Sequence, residues 1–306
     1  MLYTDTITPP KTIIERAKGH KPLTTLVVGA STPLVLESVK DAADHGLISP
    51  MLLGDQVKMK EAADAVGYNI DGLETLHAGS DDALSATLVE AATRSELGAI
   101  MKGQISTDRF MAGLLDKSAG LRTGSRMTHA FHMSFPGSER SIVVSDAALN
   151  VAPDEKTFQA ILRNSVGLVR ALGNPRPKVG VLSATEKVQA SMPTSQRAAD
   201  LAAWARDEVA DADFSGPLAL DNAISPKAAA LKGIDDPVSG HADILIVPNI
   251  EMGNALFKAM VYFAGACAAG LVLGGRLPVI LTSRSSPPAA RLTSAALAQL
   301  IQASSD

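Results

Sequence analysis

Thr282-Ser283-Arg284 closes a β-branched run, PVIL at residues 278–281, and stands just before a helix opening at Ser285-Ser286-Pro287-Pro288. A strand that stops at a hydroxyl and a guanidinium ahead of a helix start makes a good anion site. Open backbone N–H groups, the positive helix end and the arginine fork converge there. Ser286 is the expected N-cap and Pro287 the expected first helical residue. A phosphate or acyl phosphate is the natural occupant. For a strand–Ser–Arg–helix junction taken by itself, a turn-capping Ser283 and a solvated Arg284 are the commoner outcome. A second run, ILIV at residues 244–247, ends in the same way at Pro248-Asn249-Ile250-Glu251, followed by Met252-Gly253-Asn254.

Four further segments carry polar side chains at places where a ligand could sit. Met101-Lys102-Gly103-Gln104-Ile105-Ser106-Thr107-Asp108 follows a short apolar run, so Lys102 is expected at the carboxyl end of a strand, where open α/β sheets bind ligands. Gly103 permits close backbone approach, and Ser106 or Thr107 would cap the next helix. The glycine order is wrong for a P-loop, and the segment reads equally as a structural turn or a ligand loop. Residues 120–129, GLRTGSRMTH, form a basic loop; Arg122 and Arg126 suit phosphate oxygens, although a solvated loop is the more frequent meaning of such a string. His129 and His132, three apart on an extended run, point to opposite faces and do not make a metal pair. Ser183-Ala184-Thr185-Glu186 follows another apolar run, and Asp221-Asn222 follows Gly216-Pro217-Leu218-Ala219-Leu220, ordinarily an N-cap pair.

Bulk properties narrow the function classes. The 306 residues are 46% hydrophobic but only 4% aromatic, so the core must be built from Ala, Val, Leu and Ile. A net charge of −4 argues against nucleic acid or an anionic membrane as the main partner. The single Cys267 cannot form an internal disulfide and reads as a packed thiol, in keeping with a reducing cytoplasm. One Cys and scattered His make no metal site. No export signal is visible in the polar, Pro9-Pro10-interrupted start, and the uncharged run 259–275 reads as a helix end turning into a buried strand.

These segments must be positioned by alternating elements. Candidate strands are residues 25–28, 51–53, 99–101, 142–144, 179–182, 244–247, 271–273 and 279–281; candidate helices include 33–45, 83–95, 155–172, 195–209 and 289–302. The alternation predicts an α/β protein with largely parallel sheets covered on both faces. Residues 129–135 and 141–145, joined by Pro136-Gly137-Ser138, break it and predict an antiparallel pair, either a domain seam or dimer clasp or a plain edge hairpin. The expected division is a first α/β domain over 1–145, completed by a C-terminal helix over 285–306, and a second over 146–284.

Together, MKG…T at residues 101–107, GLRTG..R..H, GPLA.DNA, the P[ND]…GN segment and the Ser283-Arg284 junction resemble the phosphate acetyl/butyryltransferase family, the butyryltransferase-like branch more than the acetyl branch. The resemblance implies two three-layer α/β/α domains of the isocitrate/isopropylmalate dehydrogenase-like fold, with the active site in the interdomain cleft. It implies transfer of a short acyl group, acetyl to butyryl, between coenzyme A and phosphate in a cytoplasmic homodimer, with coenzyme A as substrate, no cofactor and no membrane or nucleic-acid partner. Ser283 and Arg284 are then the catalytic and substrate-binding pair, and Lys102, Thr107, Arg126, His129, Asn222, Asn249, Gly253 and Asn254 line the substrate. Two departures stand out. The acetyl branch carries an Asp about two turns after this Ser, whereas no acidic residue lies between Ser283 and Arg291; Asp221 or Glu251 is left as the base. Tyr262 stands where that branch tends to have a second functional Arg, which predicts a preference for propionyl or butyryl over acetyl. The rival readings are a non-catalytic homologue that binds acyl phosphate or coenzyme A, and a metal- and NAD-dependent hydroxyacid dehydrogenase of the same broad fold. The dehydrogenase would need paired acidic ligands and a dinucleotide loop that the sequence does not contain.

Overall fold

The structure, a computed structural model, describes residues 2–282 and 286–304. The chain begins with α1 (Lys11–Lys18), β1 (Leu23–Val28), α2 (Pro33–Asp44), β2 (Ile48–Gly54), α3 (Gln56–Ala65), β3 (Thr75–His77), α4 (Asp81–Ala91), β4 (Ala99–Lys102) and α5 (Thr107–Leu115). It continues through β5 (Thr128–Ser134), β6 (Ser141–Ser145), α6 (Glu155–Ala171), β7 (Lys178–Leu182), α7 (Pro193–Glu208), β8 (Asp213–Leu218), α8 (Leu220–Ile224) and α9 (Pro226–Leu231). Last come β9 (Ile244–Ile246), α10 (Ile250–Ala264), β10 (Cys267–Leu273), β11 (Val279–Ile280) and α11 (Pro288–Ala303).

By compactness the chain divides into residues 9–125 with 269–306, and residues 1–8 with 126–268. The sequence-based division put the corresponding edges at 145 and 285. The hairpin β5–β6 lies wholly within the second of these units, because β6 pairs in parallel with β9.

In the unit built on residues 9–125, the strand order is β3-β2-β1-β4-β11-β10, parallel except where β10 runs against β11. The apolar strands supply its core: Leu26–Val28, Leu52–Leu53, Ala99–Ile100 and Val279–Ile280 are all buried. Helix α11 packs on α1 and α2 and α4 packs on α5, both groups reaching the sheet, which gives three layers. Helix α11 is buried along most of its length, polar side chains included. Its Thr293 and Ser294 hydroxyls donate back to Ala289 O and Ala290 O, which satisfies them inside the helix. The expected Ser286 cap is displaced: Pro288 is the first helical residue and Pro287 the N-cap, held extended at φ −66°, ψ 158°. A proline ring disfavours helical φ/ψ in the residue before it, so the double proline moves the start one position on.

In the other unit the order is β5-β6-β9-β7-β8, parallel except for β5. The register sets Ser145 beside Ile246, Val181 beside Ile246 and Leu182 beside Leu218. The polar segments that follow β6, β9, β7 and β8 therefore leave the sheet along the same edge. Helix α10 is apolar yet fully buries only Gly253, leaving Tyr262 and Phe263 exposed at 53% and 64%.

Candidate active site

Lys102 ends β4 opposite Val28, at the point where the sheet order turns from β2-β1 toward β4-β11. That is the switch point at which open α/β sheets bind ligands. The two loops leaving β1 and β4 touch backbone to backbone. Gly103 N–H donates to Val28 O at 2.8 Å and Gln104 N–H to Gly29 O at 2.8 Å. A Cβ on Gly103 would lie 2.6 Å from Gly29 O, and one on Gly29, at φ +84°, would lie 2.5 Å from Gln104 O. Gly103 therefore permits a close approach as expected, but the partner is the β1 loop.

Thr107 opens α5, exposed; Ser106 is its N-cap residue but makes no side-chain cap. Instead Ser106 N–H donates to Asp81 Oδ2 at 3.0 Å. That bond is the main reason the Asp81 carboxyl sits below its usual range; Lys102 and Arg109 add to the effect against the opposing cost of burial. Asp81 thus couples the α4 start to the Lys102 loop, a contact that sequence spacing does not show.

Arg291 is a second residue missed by sequence reasoning. It occupies the first turn of α11, buried, and its Nη1 donates to Leu34 O at 3.2 Å and Ser38 Oγ at 2.9 Å. Burial pushes its pKa down, while Glu37 acts in the opposite direction. An arginine inside an apolar helical run was the available signal. Arg291 and Lys102 line the same cavity at the carboxyl ends of β4 and β11, together with Thr282. Ser283 and Arg284 follow Thr282 in the chain and lie outside the described residues.

In the other unit Asp146, directly after β6, is the organising group. Its Oδ1 accepts from Ala148 N–H at 3.1 Å and Leu149 N–H at 3.0 Å, and its Oδ2 from His129 N–H at 2.9 Å and Asn150 Nδ2 at 2.7 Å. Three of the expected residues gather around this turn. His129 is fully buried, its ring edge-on to Phe131 with centroids 4.4 Å apart. Gly253 is required by packing: a Cβ there would lie 2.9 Å from Asp146 O and from Ala147 Cβ. Asn254 Nδ2 reaches Ala147 O at 3.5 Å. The Asp-x-x-x-Asn spacing after a strand, a side-chain turn of the Asx kind, was the signal for Asp146 and Asn150.

The remaining expected residues have these settings. Asn249 caps α10 by accepting from Met252 N–H at 2.9 Å, with Glu251 exposed in the first turn. Asp221 and Asn222 do not cap α8, whose N-cap is Ala219; Asp221 is exposed, and Asn222 is buried with neither amide atom partnered among the described residues. Such a group calls for a water or ligand. Arg126 is exposed, 3.9 Å from Asp154. His132 is buried, and desolvation pushes it down to about 4, so it stays neutral at ordinary pH. Among the described residues no group of three or more His, Cys, Asp or Glu is placed to hold a metal ion.

A profile of the family described as phosphate acetyl/butaryl transferase matches residues 91–299, which span the Lys102 loop, the Asp146 turn and the Ser283-Arg284 junction. The chain belongs to the phosphate acetyl/butaryl transferase family. Among its relatives, a phosphate acetyltransferase of Rickettsia prowazekii (strain Madrid E) is 39% identical, over 94% of this chain and 83% of that one. A phosphate butyryltransferase of Clostridium acetobutylicum is 33% identical, over 94% of this chain and 96% of that one. A branched-chain phosphotransacylase from Enterococcus faecalis V583 superposes with a TM-score of 0.80 at 28% identity, covering 92% of this chain and 99% of that one. The transferase family thus includes relatives named for different acyl groups, all matching this chain nearly end to end.

Proposed function

We propose that this chain is an acyltransferase that moves a short acyl group between coenzyme A and phosphate: acyl-CoA + phosphate ⇌ coenzyme A + acyl phosphate. The observation that carries the reading is the single unbroken family match over residues 91–299, which includes both the Lys102 loop and Ser283-Arg284. In the direction of thioester formation, the coenzyme A thiolate attacks the carbonyl of the acyl phosphate and the phosphate leaves. Arg284 neutralises that phosphate, and Ser283 hydrogen-bonds the oxyanion of the tetrahedral adduct. Asp221 and Glu251, both exposed, are the candidates for the base that takes the thiol proton. Lys102, Thr107, Arg126, His129, Asn222, Asn249, Gly253 and Asn254 are assigned to the substrate side. Coenzyme A is consumed as a substrate, and no step needs a further cofactor.

The acyl preference rests on Tyr262, in place of a cation. A methylene in an apolar pocket is worth about 1–3 kcal/mol, so kcat/KM for butyryl-CoA should exceed that for acetyl-CoA roughly ten-fold or more. Following thiol release from each thioester in the presence of phosphate tests both readings. No release from either would overturn the transfer, and equal kcat/KM values would overturn the preference alone.

The homodimer expected from the family is supported by the exposed apolar side chain of Phe263 on α10. Light scattering at micromolar concentration should report twice the chain mass; a monomer alone would remove this assignment. No described helix is long and apolar enough to cross a membrane.

A further inference from the structure

Residues 103–106 lead from Lys102 into α5, and each of their N–H groups has a partner. Gly103 and Gln104 donate to the β1 loop, and Ile105 N–H donates to Gly103 O at 3.2 Å. Those bonds join backbone to backbone, so no side chain sets them. The last is different: Ser106 N–H donates to Asp81 Oδ2 at 3.0 Å, across from α4. Here the choice of side chain decides whether the loop is held.

The need for an outside acceptor lies in α5 itself. Where a helix caps itself, a Glu or Gln at the third helical position accepts from the N–H of the N-cap residue. In α5 that position is Arg109, which has only donors. The start of α4 supplies what α5 lacks. Asp81 takes the Ser106 N–H, Asp82 Oδ1 lies 3.0 Å from Arg109 Nε, and Ser85 Oγ donates to Arg109 O at 3.0 Å. Close packing holds the two helices together beyond these contacts: a Cβ on Gly113 would lie 2.9 Å from Leu88 Cδ2 and 3.0 Å from Ser85 Oγ. The Lys102 loop is thus fastened at one end to the β1 loop and at the other to α4.

We infer that Asp81 is a positioning residue for substrate binding at Lys102: it anchors the Ser106 end of the loop and so fixes where the Lys102 ammonium meets an anionic oxygen of the substrate. This role rests on the acyl-transfer reading, which puts Lys102 on the substrate side, and adds to it a residue that touches no substrate. Asp81 acts through the chain and not through its charge. A carboxylate within reach of the Lys102 and Arg109 charges weakens their pull on an anion, so removing the charge alone would tighten binding. Removing the anchor loosens it.

Asp81 is exposed, so it can be replaced without opening the core. Asp81→Ala should raise KM for one anionic substrate about five-fold, the scale of one lost helix-cap bond, with kcat kept within about two-fold. Phosphate and acyl-CoA are varied separately, and the substrate affected should be the one whose KM rises in Lys102→Ala. In the Lys102→Ala background, Asp81→Ala should change neither KM by more than about two-fold, because its effect runs through the missing ammonium. Asp81→Asn keeps an acceptor oxygen and should restore the native KM or lower it. Ser106→Pro deletes the donor of the same bond at φ −62°, an angle that proline itself adopts, and should match Asp81→Ala; it keeps the test open should the alanine variant not fold. Additive effects of Asp81→Ala and Lys102→Ala, or a lowered melting temperature with unchanged KM values, would overturn the positioning role and leave the transfer reading standing. Absence of thiol release by the unaltered protein overturns the transfer reading and this role with it.

Discussion

Ser283→Ala is expected to lower turnover by about 100-fold or more with little change in KM for either substrate, since removing an oxyanion donor costs roughly 2.7–4 kcal/mol. The charge that Ser283 meets exists only while the thiolate is adding to the carbonyl, so the ground state should not notice its loss. Arg284 should behave differently. It holds a phosphate already present in the ground state, so Arg284→Ala should raise KM for phosphate strongly. Arg284→Lys should restore only part of the loss, because an ammonium cannot span two phosphate oxygens with a planar fork. A serine that merely capped a turn would show the opposite pattern: a melting temperature lowered by the loss of about 1 kcal/mol and near-normal turnover. Steady-state kinetics of both variants beside their melting curves separates the two. Retention of more than half the turnover in Ser283→Ala would move the catalytic centre away from this junction.

The second large effect concerns stability. Asp146→Ala should destabilise its unit by about 3 kcal/mol or more, because buried donors deprived of an acceptor cost roughly 1–3 kcal/mol each and do not simply add. Asp146 is 3% exposed and takes hydrogen bonds from His129 N–H, Ala148 N–H, Leu149 N–H and Asn150 Nδ2. Asp146→Asn should be milder, since one amide oxygen still accepts while the new NH₂ faces donors that Oδ1 or Oδ2 used to satisfy. The measurement is the urea midpoint and slope of each variant. A loss below about 1 kcal/mol in the alanine variant would mean that water replaces the carboxylate and that the turn does not depend on it. Turnover measured at a temperature where the variant stays folded should also fall, because the same carboxylate fixes the backbone of His129.

The strands that sequence reasoning located are those whose apolar runs are continuous. Residues 25–28, 99–101, 179–182 and 279–281 fall on β1, β4, β7 and β11 within one or two residues at each end. A strand buried on both faces has no polar alternation to blur it, so composition alone marks it. The elements missed have mixed local signals. Strand β8, DFSGPL, contains Gly216-Pro217 and reads as a turn. Its place next to β7 is fixed by long-range pairing, which no window of sequence contains. Of helix α10 only the end was legible, as the uncharged run from residue 259 that turns into β10, because its first turns mix Gly253 with Glu251 and Asn254. The hairpin at residues 129–145 was legible as an antiparallel pair, but its parallel partner β9 lies about a hundred residues further on.

For the site, sequence by itself determined the residue types and their attachment to strand ends. Lys102 at the end of β4, Asn249 after β9 and Thr282 after β11 follow from short apolar runs that stop at polar groups, because a buried strand cannot carry an unpaired polar side chain inward. Only the tertiary structure decided what those ends face. It put Gly103 against the β1 loop and Gly253 against the Asp146 turn, and it made Asp146 a four-donor acceptor. It also brought Arg291 and the first turn of α2 together in the lining of a pocket shared with Lys102 and Thr282. The physical reason is that strand position is set by local burial over a few residues. Close backbone approach and the satisfaction of buried donors depend instead on segments that the chain brings together from far apart, as Arg291 and Leu34 are, 257 residues from each other.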